Sequence, residues 1–141
     1  MARPYIAKVI KDFVKERAKG CCEYCLALSA FAFHPFVMEH ITPLIAGGTS
    51  EVNNLAFACQ HCNNCKHSKT SFLDPLSKEV VRLYHPRNDN WTDHFQWSSD
   101  FLILTGKSDI GRATIECLNM NRQEAVNLRG ALLAYGVHPP H

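Results

Sequence analysis

Two short cysteine clips constrain this chain more than any other feature: Cys22-x-x-Cys25 in "CCEYC" and Cys59-x-x-Cys62 in "CQHC". Each has the spacing that holds one edge of a tetrahedral Zn²⁺ ion, and together they supply four thiolates. A chain that closes such a site must bring both clips to one point, so everything between them becomes a folded insert. That insert is about twice as long as the one in a simple zinc ribbon, which leaves room for structure of its own. Ligand choice is open at this point: Cys21 can replace Cys22, Cys65 makes a second clip with Cys62, and His61 offers a nitrogen donor. Cys117 stands alone and reads as a small core residue.

The setting of the seven cysteines supports metal over disulfides. The opening "MARPYIAKVIKDF" interrupts its apolar residues with charge, unlike a signal peptide, and no apolar run is long enough to cross a bilayer. A cytoplasmic protein with no membrane partner is the expectation, and the cytosol keeps thiols reduced. With 46% hydrophobic residues in 141, the chain can bury a core. Its formal charge of +2 is too small to name a polyanionic partner. The cations Lys66, Lys69, Arg82, Arg87, Lys107, Arg112, Arg122 and Arg129 nevertheless all follow the second clip.

Periodicity supplies a coarse α+β layout. Ile6, Val9, Ile10, Phe13 and Val14 recur at helical spacing between Pro4, which suits a helix start, and Gly20, which suits a stop. The aromatic and β-branched stretch 31–41 reads as a strand pair broken near His34 and Pro35. "AGGTSE" is a loop, "NNLAFA" runs into the second clip, and "CNNCKHSK" opens a short helix. Beyond Leu73 come a turn at Asp74-Pro75, strands at "EVVRLYH", "FQW" and "FLIL", and two helices. The first helix spans about Ser108 to Met120; the second starts at Asn121, capped with Glu124, and turns Ala125, Leu128, Leu132 and Tyr135 inward. We divide the chain into a core over residues 1–72 and a strand-and-helix extension over 73–141 packed on it.

The insert contains "VMEHITPLIAGG", an apolar run that ends in Glu39 and His40. Both side chains are costly to bury unpaired, so a partner is expected nearby. In order, the chain reads zinc clip, Glu39-His40, glycine loop, Asn54, second clip, Asn63, Lys66. "EHITPLIAGGTSEVNNLAFACQHCNNCK" resembles the zinc-containing HNH endonuclease family: an acidic residue and His, Pro three residues on, Gly-Gly, Asn-Leu, and Cys-x-x-Cys-Asn-x-x-Lys. The clip "CEYC" is similar to the upstream half of that family's zinc knuckle, and the tail resembles an extension of some bacterial members.

The resemblance implies a ββα-metal fold, a hairpin and helix around a divalent ion. It implies that His40 is a general base, that Glu39 and Asn63 hold the catalytic ion, and that Asn54 braces the loop holding the His. The family often has Asp at the Glu39 position and His at the Asn63 position. DNA is the implied substrate, with a 5′-phosphate and a 3′-hydroxyl as products.

Chemistry gives the same division of labour. A positioned His supplies only about 10² to 10⁴ in rate, whereas such slow reactions demand factors nearer 10¹⁷, so most of the barrier falls to electrostatics. Glu39 and Asn63 are hard oxygen donors that suit Mg²⁺ or Mn²⁺; cysteine sulfurs suit structural Zn²⁺. Each residue also has a plainer role: His40 as a core histidine, Asn54 as a cap, Lys66 and Lys69 as solvated lysines instead of phosphate contacts. Trp91, His94, Phe95 and Trp97 are read as core, not as a base-stacking platform. The reading is a metal-dependent DNA endonuclease, with a two-fold homodimer as the expected route to a double-strand break. The alternative is a non-catalytic zinc-stabilised nucleic-acid-binding module.

Overall fold

A computed structural model describes residues 4–140. The chain is α+β, with helices and, among the described residues, three small antiparallel two-stranded sheets, and divides into two compact units, Met1–Ser68 and Lys69–His141.

In the first unit, helix α1 (Lys8–Arg17) is followed by strand β1 (Val37–His40), strand β2 (Leu55–Ala58) and helix α2 (Gln60–Lys66). β1 and β2 pair antiparallel, with Met38 opposite Phe57 and Glu39 opposite Ala56. Side chains alternate across a strand, so this register sorts the two faces of the hairpin. Met38, Leu55 and Phe57 join Val14 of α1 in an apolar cluster, with Ile6, Ile10, Ala18 and Phe36 packed on it. Glu39 and the small Ala56 take the other face, where α2 approaches.

Two expectations for this unit are corrected. Only one edge of the α1 stripe is used: Ile6, Ile10 and Val14 pack, whereas Val9 and Phe13 are exposed. Residues 31–41 form one strand, not two, because Ser29–Phe31 winds into a single 3-10 turn and the chain becomes extended only at Val37. Arg17 anchors α1 to the segment entering β2, donating to the carbonyls of Val52 (2.9 Å) and Leu55 (2.7 Å).

The second unit carries β3 (Ser71–Leu73), β4 (Val80–Arg82), the one-turn helix α3 (Trp91–His94), β5 (Phe95–Trp97), β6 (Leu104–Gly106), α4 (Asp109–Leu118) and α5 (Gln123–Tyr135). β3 pairs with β4 and β5 with β6. Ser108 caps α4, its hydroxyl accepting from the Gly111 amide at 3.0 Å. Phe95 is buried as expected of core, whereas Trp91 and Trp97, joined to it in a chain of ring contacts, are only half-buried.

Here too the sequence misled at particular residues. Asn121 is no helix cap: it pairs like a strand with the amide and carbonyl of Leu104, both at 2.8 Å, and α5 begins at Gln123. Leu132 is buried as expected, whereas Leu128 and Tyr135 are exposed and the other buried position of α5 belongs to Arg129. Its guanidinium donates to the carbonyls of Leu102 and Met120 and lies over the Trp97 ring. "FLIL" contributes only Leu104 to a strand.

Candidate functional site

The two clips converge. Sγ atoms of Cys22, Cys25, Cys59 and Cys62 all lie within 4.8 Å of one another, and all four residues are buried. Cys25 and Cys59 stand 3.8 Å apart, which matches the edge of about 3.8 Å expected for a tetrahedron with Zn–S bonds near 2.3 Å. This set fits a tetrathiolate Zn²⁺. The alternatives fall away, since Cys21 turns its thiol to the Lys19 carbonyl and Cys65 meets His61 outside the cluster. Contacts from the other three thiols hold Cys59 far below the ordinary cysteine range, whereas burial pushes Cys22 up. Four sulfurs this close, all out of water, are held together as thiolates by a cation at their centre.

The first clip is stitched to the hairpin. Glu23 donates its amide to the Phe57 carbonyl at 2.8 Å, and its Oε2 accepts from the Phe57 amide at 2.7 Å. Tyr24, next along, is fully buried and donates its hydroxyl to Glu39 Oε1 at 2.6 Å. Burial, then the Glu39 charge, pushes the phenol well above its ordinary value, so it remains a donor.

Glu39 has the partner its burial demands, and that partner is Lys66. The Lys66 ammonium lies 3.2 Å from Glu39 Oε1 and donates to the Ile41 carbonyl at 2.9 Å, with both side chains only 2% exposed. The expectation that Lys66 touches phosphate is therefore corrected: its charge is spent inside the unit, against strand β1. Lys69 is exposed. The cations after the second clip are largely structural as well, for Arg82 pairs with Asp89, Arg112 with Asp74, and Arg129 is buried.

His40 ends β1, half-buried, with Nε2 2.9 Å from the Ser50 hydroxyl. Ser50 belongs to the glycine loop, and sequence reasoning missed it; its only signal was membership of a loop that Asn54 holds shut. Asn54 Oδ1 accepts from the Thr42 amide at 2.8 Å, while Nδ2 donates to the carbonyls of Thr42 (3.0 Å) and Thr49 (2.7 Å). Gly48 lets the loop close this tightly, since a Cβ there would sit 1.9 Å from the Thr42 carbonyl oxygen.

Asn63 lies on α2 one turn before Lys66 and so on the same helix face. Because Lys66 reaches Glu39, that face is the one α2 turns to β1. A carboxylate and an amide both offer hard oxygen donors, the type that Mg²⁺ or Mn²⁺ takes.

Residues 22–69 match the family model described as HNH endonuclease, which supports a nuclease-type function and implies a nucleic-acid substrate. No curated protein matches the chain. Among the described residues no helix is long and apolar enough to cross a membrane.

Proposed function

We propose that this chain hydrolyses DNA phosphodiester bonds as an HNH endonuclease, with His40 as general base. The observation that carries this reading is the histidine itself: it stands at the end of β1, its ring held by Ser50 in a loop that Asn54 ties to Thr42. In the tautomer where Nε2–H donates to Ser50, Nδ1 carries the lone pair and takes the proton from the attacking water. Ring orientation is fixed before substrate arrives, which removes a rotational search from the barrier.

Glu39 and Asn63 would hold a divalent ion, Mg²⁺ or Mn²⁺. That ion, when bound, supplies charge stabilisation at the phosphoryl oxygens and the departing alkoxide. Asn54 acts through the loop and not on the substrate. Lys69, exposed just past the second clip, is a phosphate contact in this reading. Cys22, Cys25, Cys59 and Cys62 hold a structural Zn²⁺ that closes the insert around the hairpin.

The constellation of Glu39, His40 and Asn63 occurs once, so one protomer cuts one strand at a time, and a double-strand break requires a homodimer or a second visit. Supercoiled plasmid incubated with protein and Mg²⁺ tests this directly. Nicked circles bearing 5′-phosphate ends should precede linear molecules and vanish with chelator. A protein that binds the plasmid but never nicks it in Mg²⁺ or Mn²⁺ would instead be a binding module.

A further inference from the structure

Glu39, in the proposed reaction a ligand of the divalent ion, is also one half of a buried ion pair, and the reaction as proposed gives no role to its other half, Lys66. Lys66 and Glu39 are each 2% exposed, and Tyr24 is fully buried against the same carboxylate. Removing two charges from water is expensive, and apolar residues of similar volume commonly serve stability as well or better. What such a pair supplies instead is a fixed geometry.

That geometry is specific. Tyr24 Oη at 2.6 Å and Lys66 Nζ at 3.2 Å converge on one oxygen, Glu39 Oε1. Lys66 also reaches the Ile41 carbonyl at 2.9 Å, so a single ammonium holds residues 39 and 41 and brackets His40 between them. Tyr24 sits between Cys22 and Cys25 in the first clip, and Lys66 follows Cys62 by one helical turn. Three elements that bring thiolates or candidate ion ligands therefore meet on one carboxylate.

We infer that Tyr24 and Lys66 are positioning residues that fix the Glu39 carboxylate and the end of β1, and thereby tie the thiolate clip to the strand carrying His40. The inference rests on the nuclease reading above. It makes the zinc clip part of the machinery that aims the base, beyond its role in holding the fold closed.

The test uses the full chain with Tyr24→Phe, which removes only a hydroxyl, and Lys66→Met. Zinc content, Mn²⁺ affinity by the electron paramagnetic resonance signal of free Mn²⁺, and kcat and KM on plasmid are measured for each. Tyr24→Phe should keep its zinc and its KM while kcat and Mn²⁺ affinity fall by about tenfold or more, the usual loss when a group orienting a metal ligand is removed. Lys66→Met should show the same split; if it does not fold, Tyr24→Phe alone decides. Wild-type kcat and Mn²⁺ affinity in Tyr24→Phe would overturn the inference. So would loss of zinc, since the hydroxyl would then serve the clip and not the strand. If the wild type neither cuts nor binds Mn²⁺, the nuclease reading fails separately, and amide exchange at Ile41 and Thr42 decides the positioning claim. Faster exchange in Tyr24→Phe supports it and unchanged exchange overturns it.

Discussion

Asn54 and Thr42 are joined by two hydrogen bonds, the asparagine side chain taking both the amide (2.8 Å) and the carbonyl (3.0 Å) of Thr42. A single side chain thus imitates a strand partner two residues past His40. Asn54→Ala leaves these backbone groups and the Thr49 carbonyl without their partner, at about 1–3 kcal/mol. Chemical denaturation should show a loss of that size, and strand cleavage should fall more than DNA binding does.

Gly48 closes the same loop. A methyl group there would overlap the Thr42 carbonyl oxygen, a backbone atom that cannot swing away. Gly48→Ala should therefore mimic Asn54→Ala in both melting temperature and cleavage rate. The exposed Gly47, at φ +90° with nothing within 4 Å, should tolerate space but not the backbone angle, and Gly47→Ala should cost only the left-handed strain, about 1–2 kcal/mol.

Zinc removal should unfold the first unit. A structural Zn²⁺ contributes on the order of 10 kcal/mol to small modules, comparable with the whole stability margin of a domain, about 5–15 kcal/mol. Cys25→Ser or Cys59→Ser should give insoluble or protease-sensitive protein. Soluble, zinc-free, fully folded variants would contradict the assignment.

What the sequence made legible followed from fixed chemistry. Cysteine spacing located the four-sulfur cluster because tetrahedral coordination tolerates few alternatives, whereas the bracing role of Asn54 was implied only by the family resemblance. Tertiary partners were harder to see. Lys66 read as a surface cation because nothing local reveals that a helix face three residues long will turn it onto Glu39. Tyr24 passed unnoticed between two ligands, and Arg129 occupies the core position that apolar periodicity assigned to its neighbours, since a guanidinium can satisfy backbone carbonyls that no leucine can.

Acid should weaken the second unit through Asp74. The Arg112 guanidinium, in a two-pronged pair at 2.9 Å and 2.9 Å, holds the Asp74 carboxyl well below the usual carboxylate range, helped by the amides of Leu76 and Ser77. A folded-state value depressed below the unfolded one means that the stabilisation is complete above about pH 4 and is lost as pH falls further. Asp74→Asn should lower the melting temperature at neutral pH, and the gap to wild type should shrink as the pH is taken below about 4.

The most direct measurement is single-turnover cleavage of one labelled DNA duplex in Mg²⁺ by wild type and His40→Ala, with binding of each followed in parallel. A general base contributes about 10² to 10⁴ in rate, so His40→Ala should bind DNA as wild type does and cut it at least about a hundredfold more slowly. A His40→Ala protein that cuts at the wild-type rate would contradict the account.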